Sequence, residues 1–222
     1  MKKKIALLLA AVLTLSLTAC GGNKKAFEKS KTAYAHIETA YEIAGEFSED
    51  LYEAWRLGIY NKDEILEGGT AYLAKALNLS REEILEGVVY VVATMNGNHW
   101  EDVTEDEKAQ LCENADSFFP LFEDQLFSFC VMAVSGAYSA NGKAETAQAA
   151  LEEAKAEMKE MSEKYSDYEH YPNLKGYYTT TNAFFAFCQN PTGSFEQVKT
   201  TINDYRNDAR SYKSDLDYMF ED

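Results

Sequence analysis

The sequence predicts an all-α fold, an antiparallel helical bundle of about four long helices with shorter helices inserted between them. Three observations lead there. Long stretches repeat apolar residues at spacings of three and four, the period of a helix with one buried face. Ser80-x-x-Glu83, Thr104-x-x-Glu107 and Ser194-x-x-Gln197 are capping boxes, in which the hydroxyl and the carboxylate or amide satisfy each other's backbone N–H groups at a helix start. Only Val88 to Ala93 also reads as a strand, and no second strand is available to pair with it.

The first helix starts at Ala26. Tyr34, Ile37, Tyr41, Ala44, Ser48, Leu51 and Trp55 fall on one stripe, while Glu38, Glu42, Glu46, Glu49 and Glu53 face elsewhere, and the pattern stops near Gly58. Thirty residues of helix reach roughly 45 Å. Asn61 suits the cap of a shorter helix through Ile65, Leu66, Tyr72, Leu73 and Leu77, and Gly68-Gly69 predicts a break in its middle. The Ser80 box opens a helix through Ile84, Leu85, Val88, Val89 and Val92; the stretch from Met95 to Trp100 is a loop; and the Thr104 box opens the next helix, which Pro120 kinks or restarts. From Leu121 to Tyr138 the chain is apolar almost all round, the mark of a central helix, and the acids and amide at Glu123, Asp124 and Gln125 keep it from reading as a membrane span. Asn141-Gly142 ends that helix as a left-handed cap. Ala144, Ala147, Leu151, Ala154, Met158, Met161 and Tyr165 then form the stripe of another long helix. Phe184, Phe185 and Cys188 lie on one more, and the last shows Phe195, Val198, Ile202, Tyr205, Ala209, Tyr212, Leu216 and Met219 in heptad spacing.

The start of the chain is of another kind. Lys2, Lys3 and Lys4 precede an apolar run from Ile5 to Leu17, and Leu17-Thr18-Ala19-Cys20 follows, the three parts of a secretory signal. The run is too short to cross a bilayer, which takes about 20 apolar residues. Its ending resembles the lipobox of bacterial lipoprotein precursors, with Gly21-Gly22 next in the chain. That resemblance implies that Cys20 becomes the first residue of the mature chain with a diacylglycerol on its sulfur. The protein would then be held on the outer, extracytoplasmic face of the cell membrane without spanning it. One acyl chain holds only marginally and two make a stable anchor. Residues 1–19 would be a removed signal peptide, 20–25 a lipidated tether and 26–222 a single helical-bundle domain.

The formal charge is -16, and losing three lysines with the signal brings the mature chain three lower, to -19. Such a surface repels polyanions, which excludes nucleic acid as a partner and argues against direct binding of anionic headgroups, leaving the lipid as the membrane contact. With Cys20 lipidated, Cys112, Cys130 and Cys188 remain, an odd number that makes no disulfide framework. Buried thiols fit their apolar surroundings better than a Cys130–Cys188 bridge, which an oxidising compartment would permit.

No metal or cofactor site emerges: the residues three before His36, His99 and His170 are Ala33, Asn96 and Asp167, so the Glu-x-x-His pair of di-iron bundles is missing. There is no His-Glu-x-x-His, no calcium loop, no Gly-x-Ser-x-Gly elbow and no phosphate-binding glycine loop, and the acids read as solvated faces. The best candidate for function is the tyrosine-rich connection from Tyr165 to Tyr178, with Tyr168, His170, Tyr171, Tyr177 and Tyr178 as a binding surface, because Tyr offers a large contact area at low entropy cost. The same residues also suit the covering of a bundle end with their hydroxyls in water. The loop from Asn96 to Trp100 is a lesser candidate. The reading that follows is a non-enzymatic binding module for an envelope protein or polymer. The alternative is an enzyme with a dispersed site around one of the three histidines, and its sign would be a pocket holding a histidine beside a Ser, Cys or acid. A two-lobed solute receptor would alternate strands and helices, which this chain does not.

Overall fold

The computed structural model describes the backbone from Lys2 to Phe220 and the side chains from Lys24 to Phe220, so Cys20 and its expected lipidation lie outside the described side chains. The described residues form eight α-helices, two 3-10 runs and no strand, an all-α bundle. In order they are α1 (Lys2–Tyr60), α2 (Lys62–Ala76), α3 (Arg81–Met95), α4 (Glu105–Glu113), α5 (Leu126–Ala140), α6 (Lys143–Lys164), α7 (Tyr171–Gln189) and α8 (Phe195–Phe220). The 3-10 runs are Trp100–Asp102 and Ala115–Gln125.

All three capping boxes form: Ser80, Thr104 and Ser194 each accept from the backbone N–H three residues on, and Glu83, Glu107 and Gln197 each accept from the cap's own N–H. Asn61 sits at the start of α2 without capping it through its side chain. The expected break in α2 falls at Gly69, whose φ of 49° is left-handed and costs a β-carbon-bearing residue strain. Asp116 holds the break: its Oδ1 accepts from the Thr70 N–H and the Thr70 hydroxyl, both at 2.7 Å, so it caps the second half of α2 from across the chain. A Cβ at Gly69 would overlap that carboxylate. Pro120 lies in the 3-10 run, and the α-helix restarts only at Leu126, leaving Leu121 outside it and 74% exposed. Gly142, at φ 77°, closes α5 as expected.

The helix at the centre is α1, which packs against α2, α5, α6, α7 and α8, and not the Leu121–Tyr138 stretch expected there, because the long stripe of α1 runs through both halves of the bundle. Its stripe is buried as the spacing predicts, with Ile37, Ala44, Ser48, Leu51 and Trp55 inside. Two apolar clusters lie along it. The larger, around Phe47, Leu51, Phe129, Val134 and Phe185, fills the half where α1 ends; the smaller, around Ile37, Met161, Leu174, Tyr177 and Leu216, fills the half where the described side chains begin. In the larger cluster α3 and α5 cross in backbone contact, because Gly87 and Gly136 face each other and a Cβ on either would overlap the other helix's backbone.

Two acids depart from the expected solvated faces. Asp50 is buried, with Oδ1 accepting from the Asn78 N–H at 2.8 Å and Oδ2 from the Tyr138 hydroxyl at 2.9 Å. Glu38 is mostly covered and accepts from the Tyr177 hydroxyl and the Lys213 ammonium. A buried carboxylate persists only with such donors. Cys130 and Cys188 are buried free thiols and Cys112 is a half-buried one. Burial pushes the Cys130 thiol up to about 12, and Cys188 Sγ donates to the Ala44 carbonyl at 3.6 Å.

Candidate functional site

The tyrosine-rich stretch does not form one surface. Tyr168 and His170 sit in the turn between α6 and α7, ring to ring at 5.4 Å, and Tyr171 opens α7; all three are half-buried. Tyr168 donates to Met219 Sδ at 3.5 Å and His170 Nε2 lies 3.0 Å from Glu169. Tyr177 is a correction to the expected surface: it lies inside the smaller core at 0% exposure, between the rings of Tyr34 and Tyr41, and its hydroxyl donates to Glu38 and not to water. Its neighbour Tyr178 is half-buried against both clusters. Around them Lys213 donates to Tyr34 at 3.0 Å and Asp217 at 3.2 Å and pairs with Glu38, while the Tyr34 hydroxyl donates to Asp217. Burial first, then hydrogen bonding to these carboxylates, pushes the Tyr34 and Tyr177 hydroxyls above the usual tyrosine range, so they remain protonated donors. These residues lock α7 and α8 onto α1.

The open site lies in the other half. A groove of about 580 Å³ runs between α1, α3 and α5 and is bordered by the start of α6 and the end of α7. No charged residue lines it, in a chain of which 26% is charged. Its walls are Phe47 and Trp55 from α1, Tyr90 and Met95 from α3, and Phe127 and Met132 from α5. Ser128, Ser135, Gln189 and Asn190 supply an uncharged polar edge. Trp55 stacks on Phe127 at 5.8 Å and 22°. Phe47 stacks on Tyr138 at 4.2 Å and 11°, and Tyr138 is fixed by its hydrogen bond to Asp50. The buried Asp50 therefore holds one wall of the groove in place.

Large apolar side chains are left uncovered at this end. Met95 is 52% exposed and Phe127 37%, and Ile59, Tyr60 and Leu121 stand exposed at the adjoining tip of the bundle. The apolar circumference of α5 follows from the groove: Phe129, Cys130, Ala133 and Val134 face the core, while Phe127, Val131 and Met132 face the opening. An all-round apolar helix was the signal in the sequence; which side lacks a neighbour is set by the other helices. The Asn96 to Trp100 loop borders this end, with Trp100 packed on Tyr90 at 5.4 Å.

The histidines stand apart. His99 is exposed, His170 is in the turn, and His36 pairs across α1 and α6 with Glu153 at 2.9 Å in a depression of about 400 Å³. That is a histidine beside an acid, yet the hydroxyls next to it, Thr39 and Thr146, donate to the Ala35 and Gly142 carbonyls of their own helices. Among the described residues no three His, Cys, Asp or Glu side chains are grouped to hold a metal ion. No protein family, characterised protein or solved structure matches the chain.

Proposed function

We propose that this chain is a lipid-anchored, extracytoplasmic binding protein that acts without catalysis and takes a small, uncharged, largely apolar ligand into the groove between α1, α3 and α5. The observation that carries this reading is an open groove of ligand size, about 580 Å³, with aromatic and Met walls and no charge. Ligand sites are concave, mostly apolar and about 300–1,000 Å³ in volume. Apolar side chains left exposed around a concavity mark an interaction site. The lipobox-like Leu17-Thr18-Ala19-Cys20 supports the anchor. From Lys24 to Trp55 is 31 residues of one helix, roughly 45 Å, so the groove stands well away from the membrane that the anchor enters.

The neutral solvatochromic dye Nile red tests the groove. Its emission should shift to the blue and saturate on the parent protein, weaken at least several-fold on Met132→Glu, and be unchanged on Tyr168→Ala. An unaltered response in a folded Met132→Glu variant would overturn the groove as the site. Cys20→Ala tests the anchor: incorporation of a labelled fatty acid should vanish and the chain should leave the membrane fraction, whereas unchanged membrane retention would contradict it. The exposed Ile59, Tyr60 and Leu121 favour a second reading, an apolar segment of an envelope protein or polymer seated across the tip, in which Leu121→Asp would abolish capture and leave dye binding intact.

A further inference from the structure

Net charge argues against contact with anionic headgroups, but the charge is unevenly placed. Between Lys24 and Lys31 the chain carries four lysines and a single acid, Glu28. In the structure Lys24, Lys25 and Lys29 at this end of α1 meet Lys164 at the end of α6 around a cleft of about 780 Å³ that Tyr165 also lines. Of the two acids lining the cleft, Glu28 is exposed and forms no ion pair with a described residue, while Glu160 is engaged. Glu160 sits between Lys29 at 2.9 Å and Lys164 at 3.0 Å, and Lys29 also holds Glu157 at 2.8 Å. Lys24 and Lys25 are exposed and form no ion pair with a described residue.

We propose that this cleft is a seat for the phosphate headgroups of anionic lipid, with Lys24 and Lys25 as the contacting cations, Lys29 and Lys164 paired with Glu160, and the four lysines outnumbering the two lining acids. The proposal rests on the anchor reading above. Cys20 precedes Lys24 by four residues, which even fully extended reach about 14 Å. A diacylglycerol on that sulfur therefore keeps both ammonium groups close to the lipid surface, where an anionic membrane's potential acts within about a Debye length and each Lys contributes about 1 kcal/mol. Tyr165 and Tyr168 give the same end the amphipathic rings that suit the interface between water and hydrocarbon. The acidic remainder of the bundle is repelled by the same surface. Attraction at one end and repelled charge beyond it stand the bundle upright on its anchor, groove outward.

Amine footprinting of the lipidated chain tests this. The protein is placed in vesicles of phosphatidylcholine alone or mixed with phosphatidylglycerol, treated with an amine-acetylating reagent, and read by mass spectrometry. Labelling of Lys24 and Lys25 should fall several-fold in the anionic vesicles and recover in high salt, while Lys199, near the start of α8, labels equally in both. Equal labelling of Lys24 and Lys25 in the two vesicles, on a chain whose mass carries the diacylglycerol, overturns the headgroup seat alone. A mature chain without that mass overturns the anchor and the seat with it. Equal protection by inorganic phosphate in phosphatidylcholine vesicles would reassign the cleft to free phosphate and overturn the lipid source.

Discussion

The two halves of the bundle use their aromatic residues in opposite ways. Around the smaller core Tyr34, Tyr177 and Tyr168 point their hydroxyls at Asp217, Glu38 and Met219, so the polar tips are satisfied within the chain. Around the groove Phe127 stands exposed beside Met95 with no helix to cover it, over the buried Trp55 that it stacks on. Aromatic content alone is therefore a poor guide to binding. What separates the two is whether the hydroxyls have internal acceptors and whether a fourth helix closes the apolar face.

The comparison breaks first where packing is densest. Phe129 is fully buried, stacked on Phe122 at 4.4 Å and edge-on to Phe119 at 5.1 Å, and Phe129→Ala should cost about 3–5 kcal/mol by urea unfolding. A loss below about 1 kcal/mol would mean the groove half is loosely packed and its opening an expansion of the core. In the other half Tyr177→Phe keeps the ring and deletes the donor to Glu38, for an expected loss of about 1–3 kcal/mol. An unchanged midpoint would deny that the hydroxyl network closes that end. Asp116→Ala removes the acceptor at the break in α2 and should cost about 1 kcal/mol, with protection of the Thr70 amide in hydrogen exchange lost locally.

The smallest effect is a slope. Burial pushes the Asp50 carboxyl above the usual carboxylate range, against the hydrogen bonds from Asn78 and Tyr138. The folded chain then holds that proton more tightly than the unfolded chain. This group's contribution is therefore largest below the unfolded value, about 3.9, and declines as pH rises through the raised folded value. The stability of Asp50→Asn relative to the parent should rise across that window, and a flat difference would show that the carboxyl is not desolvated.

Much of the scaffold was legible in the sequence because its signals are local. Ser80, Thr104 and Ser194 cap where their spacing says, Gly69 breaks α2, and Val198, Ile202, Ala209 and Leu216 of α8 are buried in the expected register. The misses are tertiary. Asp50 reads as one more acid on a charged face, and only the approach of Asn78 and Tyr138 makes its burial tolerable. Tyr177 belongs to a stretch that reads as a connection, but α7 begins at Tyr171 and turns it inward. The groove has no motif, since its walls come from helices far apart in sequence and its shape is the space between them.

The most direct measurement places a photoactivatable amino acid at Met95, on the groove, and another at Asp167, in the α6–α7 turn, in the full chain expressed in intact cells. Irradiation should give a discrete non-lipid adduct, seen by mass spectrometry, from position 95 and nothing but lipid adducts from position 167. A non-lipid adduct from position 167 with none from position 95 would return function to the tyrosine-rich end and contradict the groove.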